Sequence, residues 1–137
     1  PTEHEAFSRI TVVAEGEEAP LDQIKKQLNK LVNVLKIVEL DPAASVQREL
    51  LLVKVQADPK TRGQVIEIVD LFRARVVDVA AESLVIEATG PTTKLGALLQ
   101  LLEPFGIREL VKSGTVGIGR GPKSLTDRAL DRPARLA

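Results

Sequence analysis

Cysteine and methionine are absent from this chain, and Phe7, Phe72 and Phe105 are its only Phe, Tyr or Trp side chains. Without cysteine there are no disulfides and no thiol chemistry, which fits a reducing compartment. With three aromatics there is little from which to build a stacking platform for bases or sugars. Lys plus Arg and Asp plus Glu both number 19. Nothing global therefore draws the chain to nucleic acid or to a membrane surface. No apolar run approaches the roughly 18 to 20 residues that span a bilayer, and no signal-peptide pattern opens the chain. These features predict a soluble, cytoplasmic protein with no nucleic-acid or membrane partner. The lack of any methionine is read as a chain that does not start at its own initiator.

What is present is β-branched and leucine-rich. "SRITVVAE" (8–15) places Ile10, Val12 and Ala14 on one face at period two and predicts a strand. After the acidic loop "EGEEAP", Leu21–Val32 carries Leu21, Ile24, Leu28, Leu31 and Val32 on one side and predicts an amphipathic helix. Leu21, Ile24, Leu28, Leu31, Leu35 and Val38 also fall at heptad spacing, so a coiled-coil seam is the competing reading. From Leu31 to Leu40, however, seven residues in ten are apolar, which covers two faces and not one seam. The expectation is a helix, a turn at Asn33 and then a buried strand.

"DPAASVQRE" (41–49) has the Asp-Pro opening and small residues of a linker. Beyond it, "LLLVKVQA" (50–57) is a strand with Leu51, Val53, Val55 and Ala57 on one face. Asp58 and Pro59 open a helix whose buried stripe is Val65, Ile68, Val69 and Phe72. Strands follow at 73–80 and 84–90, with the turn "AES" between them. Thr92 or Thr93 then caps a helix carrying Leu95, Leu98, Leu99 and Leu102, which Pro104 and Gly106 help to end. "IRELVKSGTVGIGR" supplies a last strand, with Gly114 the position where it can break.

Residues 50–119 thus read β-α-β-β-α-β, the α+β ferredoxin-like pattern of a four-stranded antiparallel sheet with two helices on one face. Residues 1–40 read β-α-β only, the second half of the same unit. The acidic start (Glu3, Glu5, Glu15, Glu17, Glu18) and the basic end, 120–137 (Arg120, Lys123, Arg128, Arg132, Arg135), are read as solvated termini, the latter as a disordered tail.

Catalytic signals are missing. His4 is the only histidine and has no cysteine or second histidine with which to share a metal. The serines lack a G-x-S-x-G setting, and no carboxylate pair stands out for acid–base work. "GTVGIGRGPKS" looks superficially like a phosphate loop, but Pro122 separates Gly121 from Lys123, where a P-loop needs Gly-Lys-Ser/Thr in sequence. A glycine-permitted bend or close strand packing is the better reading. The β-α-β-β-α-β order also suits RNA-recognition domains, but "RVVDVA" and "LVIEATG" offer no aromatic for base stacking. No catalytic, cofactor-binding or metal residue is assigned.

Several stretches together, "SRITVV", "QIKKQLNKLVNVLKIVEL", "QRELLLVKV", "RGQVIEIVDLFRARVVDV" and "SGTVGIGRGPKS", resemble the regulatory small subunit of acetohydroxyacid synthase, also called acetolactate synthase. The resemblance covers about residues 1–124. It implies the second half of an N-terminal ACT domain at 1–40, a linker at 41–49 and a C-terminal ACT-like domain at 50–119. It implies no active site and no cofactor in this chain; thiamine diphosphate, Mg and FAD are expected on the catalytic partner subunit. The small subunit would raise that partner's activity in branched-chain amino-acid synthesis. It would also confer feedback inhibition by valine, or in some members by leucine or isoleucine.

The family's effector site uses a glycine-containing turn between the first strand and first helix of the ACT domain, at the interface of two such domains. No residue of 1–137 matches that turn, and Pro1 and Thr2 would only adjoin the site. The half-domain predicts a homodimer or higher assembly. The alternative reading is a free-standing ACT-type small-molecule-binding or assembly module without an enzyme partner.

Overall fold

The computed structural model describes residues 1–14 and 18–130. Within it, Gln47–Val116 forms one compact unit, and Pro1–Val46 forms another with the described residues from Gly117 onward.

The first of these is built on the strands β1 (Ser45–Gln56), β2 (Arg75–Val79), β3 (Ser83–Gly90) and β4 (Ile107–Gly119). Their order in the sheet is β2-β3-β1-β4. β1 runs antiparallel to β3, with Leu51 opposite Ala88, Val53 opposite Ile86 and Val55 opposite Leu84. β2 runs antiparallel to β3, with an irregularity between Val76 and Asp78. β4 runs antiparallel to β1. The Leu50 amide donates to Ser113 Oγ at 3.0 Å, Lys54 Nζ meets Glu109 Oε2 at 3.3 Å, and the Gln56 amide donates to the Gly106 carbonyl at 2.8 Å.

Two helices lie between these strands in sequence, α2 (Arg62–Leu71) and α3 (Thr92–Leu102). Period-two burial along β1 and β3 meets the 3.6-residue stripe of each helix. Leu51, Val53, Val55, Leu84 and Ile86 pack with Val65 and Val69 of α2 and Leu95, Leu98 and Leu102 of α3 in one buried cluster. Ile68, Phe72 and Leu99 pack against it half-buried. The expected stripes are therefore the ones the fold uses. Each fully buried aliphatic side chain contributes roughly 1.5–3 kcal/mol.

Several local expectations are corrected. β1 begins at Ser45, so residues 45–49, read as linker, are already in the sheet. Only Pro42–Ala44 form a separate turn, with the Ala43 amide donating to Asp41 Oδ1 at 2.9 Å. α3 starts at Thr92 itself, and Pro91 is the residue before it, with no side-chain cap. Asp58 does not cap α2 directly. Its Oδ1 accepts from the Lys60 and Thr61 amides, both at 2.9 Å, and from Thr61 Oγ1 at 3.1 Å. These bonds to the Thr61 and Lys60 donors hold its carboxyl below the usual range, and Thr61 takes the cap position.

β4 runs on through Gly114, which bends it at φ +82° without breaking it. The tail is not wholly irregular, because α4 occupies Leu125–Leu130. Ser124 Oγ accepts from the Asp127 amide at 2.8 Å there. Residues 131–137 of the expected disordered tail lie outside the described residues.

The end of α2 carries no sequence stop signal. Its geometry supplies one: the Ala74 amide donates to the Val69 carbonyl at 2.9 Å and the Arg73 amide to that of Asp70 at 3.1 Å. This is a Schellman closure, and its left-handed residue is Arg73 at φ +53° where glycine is usual. Arg73→Gly is expected to stabilise the unit by about 1 kcal/mol, since the left-handed conformation costs a β-carbon about that much. A denaturant midpoint at or below that of the parent would contradict this.

In the other unit, α1 spans Glu18–Asn29. It ends three residues earlier than expected, so Leu31, Leu35 and Val38 lie beyond the helix and no heptad seam forms. Nor do residues 8–14 and 34–40 form the two expected strands; residue 15 of the first lies outside the described residues. A strand exists only through a ladder, and two strands with one helix make a marginal sheet. Lys25 Nζ of α1 instead meets Glu39 Oε2 at 3.2 Å. Ile10 is 84% exposed and Val32 94% exposed.

Candidate functional site

At the N-terminus Thr2 is a structural residue. Its Oγ1 donates to the His4 carbonyl at 2.8 Å or the Phe7 carbonyl at 3.1 Å, and accepts from the His4 amide at 3.1 Å. A short polar side chain bonding to backbone within five residues closes a turn. His4 belongs to the same turn: Nδ1 accepts from the Ala6 amide at 3.2 Å, and its ring stacks on Phe7 with centroids 4.4 Å apart. With that nitrogen engaged, His4 has a local structural role. Pro1 is exposed beside it. Glu3 is held below the usual carboxylate range first by a hydrogen bond to the Thr126 side chain, then by its own backbone amide. Arg9 Nη2 donates to the Gly117 carbonyl at 2.8 Å.

The glycine cluster at 114–121 is strand and turn. Gly114, Gly117 and Gly119 lie in β4, and Gly121 turns at φ +92°. No helix N-terminus follows Gly121 directly, so backbone amides are not gathered there as in a phosphate loop. Among the described residues no group of three His, Cys, Asp or Glu could hold a metal ion.

A concave feature that sequence reasoning missed lies between α2 and β2. It is a cleft of about 520 Å³ whose apolar lining includes Ile66, Val69, Val76, Val79 and Leu84. Arg62 lines it as the first residue of α2. Arg62 Nη2 donates to the carbonyls of Ala80 at 2.6 Å and Ala81 at 2.9 Å, while its Nε is buried with no hydrogen-bond partner. The only available signal was the i, i+4 spacing of Arg62 and Ile66, which by itself reads as helix surface.

Neither unit, then, displays a catalytic constellation among its described residues. Comparison with known proteins agrees. Residues 48–121 match the family model of the small subunit of acetolactate synthase, and residues 1–36 match the ACT domain of small-subunit-like chains of the same enzyme. The chain belongs to the acetolactate synthase small-subunit family.

It is 60% identical over 124 residues to the acetolactate synthase small subunit of Mycolicibacterium smegmatis, covering 90% of this chain and 73% of that one. The probable small subunit of Archaeoglobus fulgidus is 43% identical over 122 residues, covering 89% and 76%. The crystal structure of the small subunit from Thermotoga maritima superposes with a TM-score of 0.73 at 33% identity, covering 80% of this chain and 68% of that one. The ferredoxin-like, ACT-type fold read from residues 50–119 is thereby shown. So is the character of the chain: a regulatory, non-catalytic small subunit of an enzyme of branched-chain amino-acid biosynthesis. A small subunit implies a catalytic partner subunit. No helix among the described residues is long and apolar enough to cross a membrane.

Proposed function

We propose that this small subunit binds the catalytic subunit of acetolactate synthase, raises its activity and makes it sensitive to feedback by valine or another branched-chain amino acid. The observation that carries this reading is the match of two successive segments, 1–36 and 48–121, to the two domain models of that family. The chemistry resides in the partner, with thiamine diphosphate, Mg and FAD as its cofactors, and this chain supplies none of it.

Self-association to a homodimer or higher is part of the proposal. Large apolar side chains at Ile10, Val12, Val13 and Val32 stand exposed in the Pro1–Val46 unit, and such surface marks an association site. The setting of a biosynthetic regulatory subunit is the cytoplasm.

The test is reconstitution. The catalytic subunit of the same organism is assayed for acetolactate formation with and without this chain, and the mixture is sedimented. Co-sedimentation with a several-fold rise in rate is expected. No complex and no change in rate would leave the chain as a free-standing ACT-type module and overturn the proposal.

A further inference from the structure

Residues far apart in sequence meet within the Pro1–Val46 unit, which includes the described residues from Gly117 onward. Arg9 Nη2 donates to the Gly117 carbonyl at 2.8 Å, across 108 positions. The Arg120 amide donates to the Ala44 carbonyl at 2.9 Å. The Thr126 hydroxyl donates to the Glu3 carboxylate, the first reason that this carboxyl lies below its usual range. Phe7, Arg9, Gly117, Leu125 and Thr126 are all half-buried. Neither segment is an element that could hold itself. α4 has six residues, and a helix shorter than about 12–15 residues is marginal in water without tertiary packing. Residues 1–9 contain no helix or strand. They form the turn closed by Thr2, in which the Phe7 amide donates to the His4 carbonyl at 3.0 Å. α4 also lies beyond residues 48–121, so the match to the small-subunit model does not account for it.

We infer that the segment following β4 is a strap clamped on the turn at residues 1–9, and that the two segments order and loosen together. Arg9 reaches from the turn to the strand that leads into the strap, and Thr126 reaches from the strap back to the turn. Such coupling is reciprocal: whatever frees one segment must free the other. The clamp does not depend on a catalytic partner. Its use does rest on the regulatory reading of the chain. Residues 1–36 match the ACT domain, so a change of conformation there would be carried through the clamp to α4.

The test is amide hydrogen exchange of the full chain, followed by nuclear magnetic resonance. The Phe7 amide reports on the turn. The Asp127 and Arg128 amides, which donate to Ser124 Oγ and to the Ser124 carbonyl, report on α4. Arg9→Met removes the bond to Gly117 of β4. Thr126→Glu sets a second carboxylate against Glu3. Lys36→Met, in the same unit, is the control. Exchange follows local opening, and a hydrogen bond to a charged group is worth about a tenfold change in that opening. Arg9→Met should speed exchange about tenfold at Asp127 and Arg128 as well as at Phe7. Thr126→Glu should do the same at Phe7 as well as at Asp127 and Arg128, and Lys36→Met at none of them. If either substitution leaves the far segment at parent rates, the two segments are independent neighbours and the inference is overturned. The α1 amides should keep parent rates throughout. Equal loosening there would mean that the whole unit opens at once, with no strap acting on its own, and would also overturn it.

Discussion

Leu51→Asp should abolish folding of the Gln47–Val116 unit, whereas Leu52→Asp, one residue along the same strand, should leave it folded. Leu51 is 0% exposed and Leu52 is 38% exposed. Successive strand residues point to opposite faces. Leu51 lies in the cluster with the residues of α2 and α3, and Leu52 on the other face of the sheet. Losing a buried leucine costs about 2–5 kcal/mol, and an unpaired carboxylate in its place costs several more. The sum rivals the roughly 5–15 kcal/mol by which a whole domain is stable. Val53→Asp should behave like Leu51→Asp. Lys54→Asp removes the exposed pair with Glu109 and sets two exposed carboxylates side by side, together about 1–2 kcal/mol. Far-ultraviolet circular dichroism under denaturant titration reads all four variants. Equal midpoints would mean that the facing of β1 is wrong.

The second large effect concerns the effector. A polypeptide limited to residues 1–137 should bind valine far more weakly than one extended before Pro1 by a glycine-bearing strand-to-helix turn. Regulation requires an effector that prefers one conformational state, and that preference comes from contacts. By resemblance those contacts lie in that turn, and Thr2, the nearest candidate, spends its hydroxyl on the His4 and Phe7 carbonyls and the His4 amide. Charge-assisted hydrogen bonds to an α-amino and α-carboxylate group are worth about 1.5–3 kcal/mol each. Losing them lowers affinity by roughly a hundredfold or more, at tenfold per 1.4 kcal/mol. Calorimetric titration of both polypeptides decides it. Equal, tight binding would place the site within residues 1–137. If neither binds valine, leucine and isoleucine are titrated next, and binding of either only by the extended form would keep the site in the turn with a different effector.

Period-two and 3.6-residue patterns carried much of the Gln47–Val116 unit. Leu51, Val53 and Val55 on β1, Ala57 just beyond its end, Val65 and Val69 on α2, and Leu95, Leu98 and Leu102 on α3 were legible as core because burial follows local periodicity. The element order β-α-β-β-α-β follows from the same patterns, and with it the fold. The family resemblance was equally legible, since it rests on residues in order. Three things required the tertiary structure. Segments 8–14 and 34–40 have strand composition but form no strand, because a ladder depends on a neighbour and not on propensity. The end of α2 falls at an arginine in a glycine's conformation, held there by the carbonyls of Val69 and Asp70. The cleft beside Arg62 joins residues of α2, β2 and β3 that lie up to 22 positions apart in the chain, from Arg62 to Leu84. No local pattern shows that the Arg62 guanidinium will rest on the carbonyls of Ala80 and Ala81, because the packing of a helix against a sheet edge sets which groups meet.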